Sequence, residues 1–166
     1  ISGMSMLNEH FACEVLVGRE TLAEGLTRKL DNNEEFNLGD LTVRTLFTPG
    51  HTSDSYCFLI SDRLFTGDTL LIGETGRTDF QNGNSESAYN SLFEILLKLP
   101  DDTIVYPGHD YNGRSSSTIG EEKKTNPRLQ VKSQREYVDM MSNLKLSYPK
   151  KMGVSIMKNL KLGKNK

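Results

Sequence analysis

Tryptophan is absent from the 166 residues, histidine occurs three times and cysteine twice. Two cysteines are too few for a disulfide-stapled scaffold. Cys13 and Cys57 both sit in apolar, strand-like runs, which predicts buried free thiols in a reducing compartment. No apolar stretch approaches the roughly 18 residues that cross a bilayer, so no membrane partner is expected. A strong basic excess is missing too: the formal net charge is −2, which argues against nucleic acid. With 36% apolar and 25% charged residues, the composition excludes a disordered or collagen-like chain. An initiator methionine is also lacking. The chain opens on Ile1, no signal-peptide pattern follows, and the expectation is that it begins inside a longer product or was trimmed.

What is present is enough for one domain with a sizeable core. Charge is distributed unevenly. From Lys145 to Lys166 there are seven lysines and no acid, while residues 1–144 carry 13 Lys and Arg against 22 Asp and Glu, a balance of −9. The expected organisation is therefore one domain over residues 1–150 and a solvated basic tail over 151–166.

Cys13–Val17, Leu41–Thr48, Tyr56–Ile60, Leu64–Thr66 and Thr103–Tyr106 read as strands, with a tight turn at Leu38-Gly39-Asp40-Leu41 and another at Ser61–Arg63. Leu22, Leu26 and Leu30, spaced at i, i+4 and i+8, predict an amphipathic helix over Thr21–Leu30. A second helix is expected from a Ser85 cap to Leu99, closed by Pro100, and a third from Ser133 to about Leu144. The glycine-bearing segment Thr69–Asn84 lacks periodicity and reads as a functional or mobile loop. Strands, a helix, then a strand again predict a layered α/β fold.

One local pattern occurs three times. A strand-like run ends in Gly, and His or Asp follows: Pro49-Gly50-His51, Thr66-Gly67-Asp68 and Pro107-Gly108-His109. Gly permits a sharp turn, and a residue just past a strand end points into the crevice where α/β sheets hold ligands. Taken singly, each element is ordinarily a turn with an exposed polar side chain. Together they would converge on a metal, and imidazole with carboxylate suits Zn(II), Mn(II) or Fe(II). His10 lies in a polar stretch and reads as a surface residue.

The chain resembles the metallo-β-lactamase superfamily, and within it the persulfide dioxygenases. The resemblance runs through Thr48-Pro-Gly-His-Thr52, Phe65-Thr-Gly-Asp-Thr-Leu-Leu-Ile72, Gly76-Arg-Thr-Asp-Phe-Gln81, Tyr106-Pro-Gly-His-Asp-Tyr111 and Thr125-Asn-Pro-Arg-Leu129. The Gly-His and Gly-Asp elements are shared across the superfamily. The segments around Arg77, Tyr111 and Arg128 are similar to the dioxygenase branch rather than to the glyoxalase II branch. This resemblance implies an αββα sandwich, N-terminally incomplete in this chain, with one Fe(II) held by His51, Asp68 and a His of an upstream His-x-His-x-Asp-His motif. That motif is absent from the 166 residues and is expected just before Ile1.

His109 and Asp110 are then implied as catalytic residues beside the iron. Arg77, Tyr111 and Arg128 are implied to hold glutathione, whose carboxylates match the planar fork of Arg. Apart from the resemblance, Arg77 and Arg128 read as surface or ion-paired residues and Tyr111 as a core residue. The implied partners are glutathione persulfide and O2, with homodimers common in the family, in a bacterial cytoplasm or a mitochondrial matrix. Two other readings stay open: a dinuclear, two-zinc thioester hydrolase of the glyoxalase II type, and a non-catalytic module.

Overall fold

The structure, a computed structural model, describes residues 2–80, 82–148 and 152–163. Ile1, Gln81 and residues 149–151 and 164–166 of the expected basic tail lie outside the described residues. The chain divides into two compact units, residues 31–144 and residues 1–30 with 145–166.

The larger unit is built on a six-stranded mixed sheet. Its strands are β3 (Glu35–Leu38), β4 (Leu41–Phe47), β5 (Tyr56–Ile60), β6 (Arg63–Gly67), β9 (Ile104–Pro107) and β10 (Ser117–Thr118), in the order β10-β9-β6-β5-β4-β3. The β3–β4 and β5–β6 turns fall at the expected positions, pairing Leu38 with Leu41 and Ile60 with Arg63. Since β4 and β6 both run antiparallel to β5, they share a direction, and β9 runs parallel to β6. The ends of β4, β6 and β9 therefore open on the same side of the sheet. Those are the three strands that lead to His51, Asp68 and His109.

Between Thr69 and Asn84 the chain is not the structureless loop expected from its lack of periodicity. It forms a small hairpin of β7 (Leu70–Leu71) and β8 (Glu74–Thr75). Two residues per strand are too few to show an alternating pattern, so the hairpin leaves no sequence signal.

Helix α2 (Ser85–Asn90) continues through a π turn at Ser91–Ile95 and a 3-10 turn at Leu96–Lys98. Its cap is Asn84 rather than Ser85: the Asn84 side chain accepts from Ser87 N at 2.8 Å, while the Ser85 hydroxyl bonds Thr78 at 2.7 Å. Leu92 and Leu96 are fully buried on the expected face. They join Leu64 and Val105 of the sheet, Ile119 at the start of the helix after β10 and Tyr137 of α4 (Gln134–Ser142) in one core. Each such side chain contributes about 1.5–3 kcal/mol by leaving water. Ser133 caps α4 as expected, and α3 (Ile119–Thr125) fills the interval after β10.

The smaller unit pairs β1 (Leu16–Gly18) with β2 (Arg28–Leu30) in parallel and adds α1 (Met4–Phe11) and α5 (Met152–Leu160). The expected helix over Thr21–Leu30 is absent. Gly25 sits at φ +76°, and Thr27 is bound twice to Val15, through its backbone N at 3.0 Å and its hydroxyl at 3.0 Å. Pairing with β1 takes up the backbone groups that a helix would have paired within itself, and Leu22 is left in solvent. Cys13 is likewise exposed, because it falls in the coil before β1; Cys57, in the central strand β5, is buried as expected. The basic segment carries α5, and Leu162 just beyond it is buried.

Candidate metal centre

Three turns place the site. Pro49-Gly50 is pressed against α2, where the Ser91 hydroxyl donates to Pro49 O at 2.7 Å. A Cβ on Gly50 would overlap the Ala88 backbone, so only glycine lets the chain turn there. Gly67 has φ +51°, and the register of β6 against β9 shifts between Phe65 and Gly67. Such an irregularity bends the strand and re-aims the residue that follows, here Asp68. The β9 turn is tied to this one by Gly108 N, which donates to Gly67 O at 2.7 Å.

Below these turns lies a small buried polar group. The Cys57 thiol contacts the Thr48 hydroxyl at 3.2 Å and donates to Thr66 O at 3.6 Å. Thr48 precedes the His51 turn and Thr66 the Asp68 turn, so one buried thiol bridges the two strand ends. Burial pushes that thiol up to about 11, against smaller opposing hydrogen bonds from Thr48 and Thr69.

His51 and Asp68 meet as expected. His51 Nδ1 lies 2.7 Å from Arg77 O, and since a carbonyl only accepts, Nδ1 carries the proton. In the neutral ring Nε2 then presents a lone pair, 3.7 Å from Asp68 Oδ2. Two acceptors facing each other with no proton between them suit a shared cation. Their separation is less than twice a metal–ligand bond of about 2.0–2.2 Å. The donor chemistry therefore fits a divalent first-row ion. It is only part of a site: no cluster of three or more metal-binding side chains forms among the described residues. Two donors hold such an ion weakly.

His109 reaches the same carboxylate, with Nδ1 2.7 Å from Asp68 Oδ1. Its proton donor is thus committed to Asp68. Asp110 is engaged by its own loop: Oδ2 accepts from Asn112 N at 2.9 Å and Arg114 N at 2.7 Å. Those backbone donors, Arg114's first, hold its carboxyl below the usual range. Tyr111 is not a core residue. It is exposed, with its ring parallel to that of His109 at 6.4 Å.

Both arginines are ion-paired. Arg77 Nε and Nη2 each reach Asp79 at 2.7 Å, and its guanidinium lies 4.2 Å from the centre of the Phe80 ring. Asp79 is held below the usual carboxylate range, chiefly by that hydrogen bond. Arg128 donates to Thr75 O through Nη1 and to Glu74 at 3.1 Å through Nη2.

Gly76 enters the sequence reading only as the first residue of the Gly76–Gln81 segment, yet it has no room for a side chain. A Cβ there would overlap Asp68 O and lie 3.0 Å from the His51 ring. Glu122 is absent from the sequence reading, and Asn126 enters it only as part of the Thr125–Leu129 motif, with no role of its own. Both are fully buried beneath β8, and the only sequence hint is a pair of acids, Glu121 and Glu122, in the first turn of α3.

A family model described as "Metallo-beta-lactamase superfamily" matches residues 7–109. The chain is 35% identical to human "Persulfide dioxygenase ETHE1, mitochondrial", covering 98% of this chain and 65% of that protein. It is 47% identical over 102 residues to a Dictyostelium discoideum hydroxyacylglutathione hydrolase, covering 57% of this chain and 37% of the hydrolase. Among solved structures, ETHE1 from Myxococcus xanthus superposes with a TM-score of 0.95 at 42% identity, covering 99% of this chain and 72% of that one. This chain thus spans a little under two thirds of the length of the mammalian relatives.

Proposed function

Because the chain belongs to the metallo-β-lactamase superfamily, with ETHE1 persulfide dioxygenases among its relatives along nearly its whole length, we propose that it serves the oxidation of glutathione persulfide by O2 and water to sulfite and glutathione. The observation that carries this reading is the placement of the segment Gly76–Phe80. That segment, the one most particular to the dioxygenase branch, is built into the metal centre: Gly76 packs on His51 and Asp68, and Arg77 O orients His51.

His51 Nε2 and Asp68 Oδ2 are the donors this chain offers to Fe(II). A ferrous ion held there supplies the redox chemistry by which O2 oxidises the persulfide sulfur. The protein's own residues do the positioning. Arg77 O fixes which His51 nitrogen is free. His109 Nδ1–H holds the second oxygen of Asp68, so that one carboxylate oxygen stays turned toward His51. Arg77 is the proposed anchor for a glutathione carboxylate. Its present partner Asp79 is half exposed while Arg77 is largely buried and paired through two nitrogens, so a substrate carboxylate would compete with Asp79 for the fork. Tyr111, exposed beside His109, is proposed to contact the same substrate. Arg128 is proposed as a second cation, although its present hydrogen bonds hold the β7–β8 hairpin.

The test is metal content and O2 uptake of the complete protein with glutathione persulfide. About one iron per chain and persulfide-dependent O2 uptake are expected. Two metals and thioester cleavage without O2 would overturn the reading in favour of a hydrolase, the activity named for the Dictyostelium relative.

A further inference from the structure

We propose that Glu122 is a positioning residue for the metal centre, acting through the β7–β8 hairpin on His51. Glu122 has no exposure to solvent, and among the described residues its hydrogen-bond partners are the neutral Gly73 N and the Asn126 amide. A buried acid of this kind is weak evidence for stability, since an apolar residue of similar volume usually serves as well. Its hydrogen bonds say what it does instead.

A single oxygen, Oε2, accepts from Gly73 N at 2.9 Å and from the Asn126 amide at 2.8 Å. The same Asn126 amide donates to Glu74 O at 2.9 Å, and its carbonyl oxygen accepts from Arg128 N at 3.0 Å. Arg128 in turn donates to Thr75 O. Three consecutive residues, Gly73, Glu74 and Thr75, are therefore each gripped by a backbone atom, through Glu122, Asn126 and Arg128 respectively. Directly after Thr75 come Gly76, which has no space for a Cβ between Asp68 and His51, and Arg77, whose carbonyl sets the His51 proton.

The chain of contacts runs Glu122, Asn126, hairpin, Arg77 O, His51 Nδ1. Loosening its first member lets the Arg77 carbonyl drift and frees the imidazole to take either tautomer. The other Glu122 oxygen, Oε1, is buried and has no hydrogen-bond partner. One oxygen carries the whole task, so an amide oxygen in its place should do as well.

This inference rests on reading His51 as a metal donor, but its test does not need the oxidation of a persulfide. Glu122→Leu and Glu122→Gln would be compared with the parent protein by two measurements. One is long-range proton–nitrogen NMR of the metal-free histidines at about pH 8. The other is titration with Co(II). Glu122→Leu is expected to lose the single His51 Nδ1–H tautomer and to bind Co(II) about tenfold or more weaker, the scale seen when support behind a ligand is removed. Glu122→Gln is expected to keep both.

A folded Glu122→Leu protein with an unchanged tautomer and unchanged Co(II) affinity would overturn the proposal. So would a Glu122→Gln protein that loses as much as the leucine variant. If Glu122→Leu does not fold, Asn126→Ala removes the next link and must give the same tautomer loss for the proposal to stand. A parent protein that shows the tautomer and binds Co(II) but consumes no O2 would count against the dioxygenase reading alone.

Discussion

The buried thiol at the base of the site makes a prediction that can be worked through. Burial pushes the Cys57 thiol up to about 11 in the folded protein, from an ordinary value of 9.0. Burial penalises the thiolate, so folding favours the protonated form. The sign follows directly. Below about pH 9 the thiol is protonated in both states and stability is unaffected. Between about pH 9 and 11 the unfolded chain releases the proton and the folded chain keeps it, so stability falls as pH rises. Two pKa units correspond to about 3 kcal/mol at full extent.

Cys57→Ala removes this titration. It also removes the contact with Thr48 and leaves a small void, a loss of about 1–2 kcal/mol that does not depend on pH. Urea unfolding of both proteins from about pH 8 to 11 isolates the term, because every other group, Cys13 included, titrates in both. The parent should be the more stable at the low end, and the difference should shrink by about 2 kcal/mol by pH 11, enough to cancel or reverse it. A difference that stays constant across the range would refute the burial argument. As a second reading of the same fact, a disulfide reagent should modify exposed Cys13 at once and Cys57 only as fast as the protein opens.

Three further outcomes are expected. Gly76→Ala should weaken Co(II) binding at least tenfold and cost about 1–3 kcal/mol in urea, because its new methyl group overlaps Asp68 O, whereas Gly3→Ala, facing open space, should change neither. Arg77→Ala keeps the carbonyl that orients His51 and removes only the fork, so persulfide turnover should fall far more than metal affinity; equal losses would show that the side chain is structural. Tyr137→Phe breaks the 2.9 Å bond to the Thr75 hydroxyl and should cost about 1 kcal/mol in a urea titration.

Much of the site was legible in the linear chain. Gly-His and Gly-Asp at three strand ends announce themselves because a turn that needs glycine and a side chain that binds metal are adjacent in sequence. The strands on either side were legible for the same reason, being local runs bounded by turn residues. Thr21–Leu30 shows the limit. Its leucines fit a helical period, but hydrogen bonds from the distant Val15 decide the backbone, and periodicity does not register a competitor from elsewhere in the chain. The exposure of Cys13 and the burial of Cys57 were decided in the same way, by where each strand begins.

The sequence by itself determined the donor types, the three glycine turns that aim them, and the resemblance in which they sit. Tertiary structure alone decided the state of those donors. Which His51 nitrogen is free depends on a carbonyl 26 residues away, and that carbonyl's position depends on a carboxylate buried on α3. Arg128 likewise spends its fork on Glu74 and Thr75, more than 50 positions earlier in the chain. Hydrogen bonds are directional and short, so they are settled only when distant segments are brought within about 3 Å of one another.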